Sequence, residues 1–150
     1  MTATYINPIN TTLMVVMIGN GATPEVFSPK VTINKNRTLS LKATAIASKV
    51  TRTDDPTQPA KTTRIVTDVD WDVSGDGSLD AGDSKYFADW LMSGAPKNIQ
   101  VFAGSATGDL EWAGPVILEE FSLSGAQNGD LVTATIKMSA ADIGVSTAHA

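Results

Sequence analysis

The sequence predicts a mainly β fold, an antiparallel β-sandwich or barrel with one flanking α-helix and a long hairpin loop. Three observations predict it. Apolar and polar residues alternate with period two through most of the chain. Only one segment, near residues 81–93, carries helical spacing. The longest polar gap, Thr51–Ala60, holds Asp54, Asp55, Pro56 and Pro59, residues that strands do not cross, and separates two alternating runs that pair most simply as a hairpin. With no repeat and no linker, the 150 residues read as a single domain, 1–150, large enough to bury a core.

Thr11–Gly19 opens the chain as a buried strand. Its apolar run, Leu13–Ile18, is too short to span a bilayer, and no basic residue precedes it as in a signal peptide. The expectation is a soluble, unsecreted protein with no membrane partner, for which the sequons at Asn10 and Asn36 carry no meaning. Gly19-Asn20-Gly21 lacks the Lys and Ser/Thr of a phosphate loop and reads as a turn. A strand is expected at Val31–Asn34. From Thr38 to Lys49, Leu39, Leu41, Ala43, Ala45 and Ala47 alternate with polar residues, and Ile46 is the exception. From Arg64 to Val73, Ile65, Val69, Trp71 and Val73 alternate with Arg64, Asp68, Asp70 and Asp72.

The helix is expected over Ala81–Ser93, with Phe87, Trp90 and Leu91 on one face and Tyr86 beside them. Asp80 or Asp83 would cap its start, while Gly94 and Pro96 would end it. Strands follow at Asn98–Ala103, Val116–Leu123 and Leu131–Met138, the last two joined by a turn at Gly125–Gly129. In the final strand Val132, Ala134, Ile136 and Met138 share a face. Residues 139–150 read as a C-terminal tail. Trp71 and Trp90 suit a core; Trp112, among Asp109, Glu111 and Gly114, reads as a loop contact residue.

Composition narrows function. The absence of cysteine excludes thiolate metal sites, cysteine nucleophiles and a disulfide framework, and fits a reducing compartment. The only histidine, His149, lies at an end expected to fray, a poor place for a triad or a metal ligand. Glu119 and Glu120 should point to opposite faces of a strand, which is the wrong geometry for paired acid–base work. No catalytic residue and no cofactor is assigned. A net charge of −5 argues against nonspecific nucleic-acid affinity. It is unevenly spread: +5 up to Arg64 and −10 from Ile65 onward, a polarity suited to head-to-tail contact between copies.

Asp72-Val73-Ser74-Gly75-Asp76-Gly77-Ser78-Leu79-Asp80-Ala81-Gly82-Asp83 resembles the calcium loop of EF-hands and dockerins, with oxygen-bearing residues at the right spacing and a helix after it. It departs from them in its last ligand, Asp83, in the strand-like Val69-Asp70-Trp71 before it, and in having no second repeat. An Asp/Gly/Ser turn ending a strand is the preferred reading, and no metal ligand is assigned. A calcium-binding extracellular β module is the alternative.

The order of parts resembles the major tail tube proteins of long-tailed bacteriophages and gene transfer agents. Three features carry the resemblance, over roughly residues 37–138. They are the polar-tipped hairpin (38–73) running into Val69-Asp70-Trp71-Asp72-Val73, the helix Tyr86-Phe87-Ala88-Asp89-Trp90-Leu91-Met92-Ser93-Gly94, and the ending Gly114-Pro115-Val116-Ile117-Leu118-Glu119-Glu120-Phe121-Ser122-Leu123-Ser124-Gly125 before a Gly-Asp turn and a strand. The resemblance implies a structural virion protein. It would form rings, hexameric in that family, that stack into a hollow tail tube conducting DNA without specific binding. Its partners would be further copies of itself and tape measure, tail tip and tail terminator proteins. It would reside in the virion tail after assembly in the host cytoplasm. A secretion-system tube is the near neighbour of this reading.

Carried onto this chain, the loop about 48–63, with Lys49, Arg52, Asp54, Asp55, Lys61 and Arg64, would make inter-ring contacts, ordering on an acidic neighbouring surface. The hairpin strands would line the lumen. Asp68, Asp70 and Asp72 share one strand face, with Lys42 brought near Asp70 if the hairpin pairs symmetrically. Val69, Trp71 and Val73, opposite, are expected to face the core. An acidic lumen would repel phosphates.

Overall fold

The computed structural model describes residues 5–6, 8–10, 13–30, 32–125 and 128–150. The elements are β1 (Met14–Gly19), β2 (Phe27–Pro29), β3 (Lys35–Val50), β4 (Lys61–Ser78), α1 (Ser84–Ser93), β5 (Lys97–Ala103), β6 (Leu110–Ser124), β7 (Thr133–Ala140) and β8 (Val145–Ala148). All pairings are antiparallel, in the order β2-β1-β5-β6-β7-β4-β3, with β8 added to β6. The mainly β fold with one helix follows the period-two pattern that predicts it.

One sheet face makes the core. Val16 and Ile18 of β1, Ile99 and Val101 of β5, Val116 and Leu118 of β6, and Ile136 and Met138 of β7 are buried. Trp71 and Val73 of β4 join them, and α1 covers this face with Phe87 and Trp90. Phe87 meets Phe121 of β6 at 5.5 Å between ring centroids. The other face is polar. Cross-strand partners lie on the same side of a sheet, so the register sets Asp72 beside Ser139, Ser74 beside Lys137 and Asp76 beside Thr135.

The hairpin outruns its sheet. β7 pairs with β4 only over Asp72–Ser78, whereas β3 follows β4 out to Val50↔Lys61. Beyond Asp70 the two strands project as a ribbon, exposed along both faces. Eight residue-to-residue steps from Val69 to Lys61, at about 3.4 Å each, make it roughly 27 Å long.

Several expectations are corrected. β1 begins at Met14; Thr11 and Thr12 lie outside the described residues, as does Val31. Thr32–Asn34 form no strand but a turn, with Ile33 N–H donating to Lys30 O at 3.1 Å. The loop narrows to residues 51–60, because Ser48–Val50 and Lys61–Thr63 stay paired. The helix starts at Ser84 rather than Ala81. β7 starts at Thr133, so Leu131 and Val132 are exposed outside it. Of the Gly125–Gly129 turn, residues 126 and 127 lie outside the described residues. Trp112 belongs to β6, whose first half was not expected, and packs edge-on against Trp71 at 5.7 Å. Residues 139–150 are no tail. Ser139 and Ala140 finish β7, and β8 pairs with the first residues of β6. His149 is clasped there: its N–H donates to Asp109 O at 2.7 Å, its carbonyl accepts from Gly108 N, and Nδ1 meets Glu111 Oε1 at 2.5 Å.

Candidate functional site

Two surfaces concentrate the polar residues singled out in the sequence: the open face of the sheet and the ribbon that projects from it. Asp68, Asp70 and Asp72 share one face of β4 and pair across the ladder with Thr44, Lys42 and Ser40. Lys42 stands opposite Asp70, as symmetric pairing requires, but its ammonium reaches diagonally to Asp72 at 3.4 Å. Both groups are largely exposed, so this bridge stabilises by at most about 1 kcal/mol. Asp68 and Asp70 have no cation partner among the described residues. Asp70 Oδ1 instead accepts from the N–H of Trp71 at 2.8 Å.

The same face continues across β7 and β6. Glu120 pairs with Lys137 at 3.3 Å and accepts from Ser122 at 2.8 Å. Those two partners, Ser122 first, hold its carboxyl below the usual carboxylate range. Glu119 accepts from Ser139 Oγ, so both carboxylates serve this one face. The expectation of opposite faces fails because β6 is bulged between Leu118 and Glu120; the extra residue turns the second carboxylate around. The bulge also returns Phe121 to the core side. Six carboxylates (Asp68, Asp70, Asp72, Asp76, Glu119, Glu120) thus stand against Lys35, Lys42 and Lys137, making this face acidic.

On the ribbon a second bulge, between Thr44 and Ala45, leaves Thr67 without a direct partner. It reverses the alternation beyond. Val66 rather than Ile65 shares the side of Val69, while Ile46 pairs with Ile65 on the acidic side. Ile46, the exception in the sequence, is therefore matched by an exception in the partner strand. Val69 is 63% exposed; it does not reach the core, because the sheet ends beneath it at Trp71.

At the tip, Arg52 donates to Asp54 through Nε at 3.0 Å and Nη2 at 2.6 Å. That pairing raises the guanidinium and lowers the Asp54 carboxyl. Asp55 accepts from Thr57 Oγ1 and N, which lowers its carboxyl as well. Each tip acid is thus engaged locally. Lys49, Lys61 and Arg64 form no ion pair among the described residues, which leaves the tip its basic character.

The segment that resembles a calcium loop is not a loop. Asp72–Ser78 is strand, paired with β3 on one side and β7 on the other. Asp72, Ser74 and Asp76 share one face of this extended strand but stand about 7 Å apart in a row, so they do not curl around one ion. The glycines serve close approach: a Cβ at Gly75 would lie 2.6 Å from Ile33 Cγ2, and one at Gly77 2.6 Å from Thr32 O. Among the described residues no cluster of three or more His, Asp or Glu could hold a metal ion, and no helix is long and apolar enough to cross a membrane.

Asp83 has a different task. It precedes α1 but makes no side-chain cap, because its carboxylate, nearly buried, accepts from Thr32 Oγ1 at 3.0 Å and Thr32 N at 3.4 Å. Thr32 Oγ1 accepts in turn from Asp80 N at 3.1 Å. Burial and the Asp83 carboxylate together raise the phenol of Tyr86. Gly94 ends the helix in the left-handed conformation at φ 66°, its N–H donating to Trp90 O.

No family model matches the chain, and no curated protein matches it. Solved structures do. A chain from the tail of an empty gene transfer agent particle, refined with helical and C6 symmetry, superposes with a TM-score of 0.66 at 15% identity, covering 92% of this chain and 98% of that one. A chain of the sheath–tube complex of an extracellular contractile injection system gives 0.60 at 14% identity over 94% and 92%. One from the tube-terminating cap of an anti-feeding prophage gives 0.63 at 12% identity over 98% and 95%. At these identities the likeness is one of fold: this chain has the fold of chains found in tail and injection-tube assemblies.

Proposed function

We propose that the protein is a non-catalytic structural subunit that polymerises as stacked rings into a hollow tail tube, residing in the virion after assembly in the host cytoplasm. The observation that carries the reading is the projecting ribbon. A two-stranded ribbon isolated in water is marginally stable. This one leaves Leu41, Val66 and Val69 exposed on one face and Ile46 and Ile65 on the other, together with two unpaired backbone edges. Unpaired edges invite association; a protein that keeps them long, and not blunted by proline, uses them between copies. The fold shared with tail and injection-tube assemblies supports the same conclusion, and the C6 symmetry of one of those assemblies supports six subunits per ring.

The acidic sheet face then suits the lumen. Repeated around a ring, its carboxylates would set up a negative potential, so that DNA passes without the counterion release that holds it to basic surfaces. Tape measure, tail tip and terminator proteins would be the further partners. The likeness to injection-tube chains favours a second reading, a tube whose cargo is not DNA. The test is electron microscopy of the concentrated protein, alone and with a tail initiator. Hollow filaments of stacked rings are expected; a protein that stays monomeric under both conditions, or is absent from purified tails, overturns the proposal.

A further inference from the structure

At the root of the ribbon, β7 breaks off after Ala140 and β8 resumes at Val145, both on the same side of β6. Trp71 plugs the break, its Nε1 donating to Asp142 O at 3.0 Å. The kink opens a groove of about 460 Å³ lined by Val69, Asp70, Trp71, Ala140, Ala141, Asp142 and Ile143. Its walls are apolar: Ile143 is 74% exposed and faces a solvent-open space beside Val69. Its polar groups are acidic, and among the described residues neither Asp70 nor Asp142 meets a cation; each accepts only the next residue's backbone N–H.

We infer that this groove seats the ribbon tip of a second copy. The tip offers the complement on both counts. Lys49, Lys61 and Arg64 are uncommitted cations, and Val50 is an exposed apolar side chain, 55% accessible, directly across from Lys61. A subunit's own tip cannot enter its own groove, because a regular ladder holds the two roughly 27 Å apart. The contact is therefore between copies, and in a stack it is heterologous and head-to-tail, the kind that propagates. The uneven charge of the chain, basic before Arg64 and acidic after it, is the same complementarity on a larger scale. This inference rests on the tube reading and adds the surface on which each ring receives the next.

A chain without cysteine allows a direct test. A variant carrying Val50→Cys and Ile143→Cys, treated with a short bismaleimide during assembly, should give a ladder of covalent oligomers on a denaturing gel. Val50→Cys with Leu123→Cys, another exposed apolar position on a distant strand end, should not. In parallel, Asp142→Lys with Asp70→Lys should raise the concentration needed for elongation at least about tenfold, since like charges would face each other across the contact. Lys61→Asp with Arg64→Asp should do the same, and the four changes together should restore assembly. Each variant's melting curve establishes that it folds. Wild-type tubes without a ladder, or tubes unaffected by the reversals, overturn the seat and leave the tube standing. Cross-linking to a different partner protein at Ile143 also overturns it. Wild-type protein that never assembles, with no ladder, overturns both.

Discussion

Removing the hydroxyl of Thr32 tests whether a buried polar hub fixes α1 to the sheet. Thr32 is fully buried and Asp83 8% exposed, so the 3.0 Å bond between them is a charge-assisted bond shielded from water. Thr32→Val keeps the shape and removes this bond, worth about 1.5–3 kcal/mol. It also orphans the N–H of Asp80, but Asp80 is exposed and water can replace the hydroxyl there, adding about 0.5 kcal/mol or less. The expected loss is about 1.5–3.5 kcal/mol. For a chain of this length each kcal/mol lowers Tm by about 2–4 °C, so Tm should drop by roughly 3–14 °C. Asp83→Ala should cost as much, since it leaves two donors of Thr32 buried without an acceptor. The double variant should recover at least about 1 kcal/mol relative to additivity. Urea unfolding followed by circular dichroism, with an unchanged m-value, is the measurement. A Thr32→Val loss under about 0.5 kcal/mol, or additive effects of the two changes, would refute the hub.

Deleting Arg52–Ala60 removes only loop residues beyond the last paired rung, so the subunit should fold with an unchanged melting temperature yet fail to elongate in sedimentation assays. Replacing Asp68 and Asp72 by Lys, sparing Asp70 at the groove rim, should permit assembly while slowing DNA ejection, most at low salt where phosphate contacts are strongest; ejection at the wild-type rate would put this row outside the lumen. Tyr86 and Tyr5 are the only tyrosines, and burial followed by the Asp83 carboxylate raises the Tyr86 phenol. In a Tyr5→Phe variant, where Tyr86 alone absorbs, phenolate absorbance should rise above the ordinary phenol range, and Asp83→Asn should bring it down only partway. The sign follows for stability: a raised folded value means support that is complete below the ordinary phenol range and is lost as pH rises through the higher one. Unfolding followed across alkaline pH should steepen in wild type and less so in Tyr86→Phe.

Much of this arrangement is legible in the residues, and the rest fails for identifiable reasons. Symmetric pairing about the polar gap places Lys42 opposite Asp70, because a hairpin's register is set by its ends and its alternation. The bulges at Thr67 and Glu119 are invisible: both are ordinary strand residues, and only the partner strand reveals that each is one too many. The continuation of β4 beyond Val73, through Ser74–Ser78, is hidden by Asp, Gly and Ser, whose turn preference is overridden by ladders on both sides. β2 and β8 are three and four residues long, too short for periodicity to register; they exist because β1 and β6 offer edges. Trp112 gave a false signal, since Asp109 belongs to the turn before β6 and Glu111, within β6, is turned to His149, while the ring of Trp112 lies against Trp71 and Gly144, where a Cβ would come within 2.4 Å of the indole.

The placement of stability within the chain bears on assembly. Every large buried side chain lies in β1, β4 beyond Asp70, β5, β6, β7, α1 or the turn at Ile33; the ribbon contributes none. The body can thus hold its fold whether or not the ribbon is engaged, and the ribbon can present unpaired edges and aliphatic side chains without putting the core at risk. Had the two Ile of the acidic side been placed nearer the root, they would have been beside Asp68 and Asp70 on the wall. They stand instead in the outer half, beyond the carboxylates, and the Thr67 bulge is what sets Ile65 rather than Val66 opposite Ile46 there. Acidic face and apolar tip are thereby separated along one pair of strands. Inserting one residue between Thr44 and Ala45, opposite Thr67, should restore a regular ladder and reverse the alternation beyond it, turning Ile46 and Ile65 to the Val69 side and Arg64 toward the acidic side. Such a variant would retain the body's core intact and lose the separation on which assembly of the kind proposed depends.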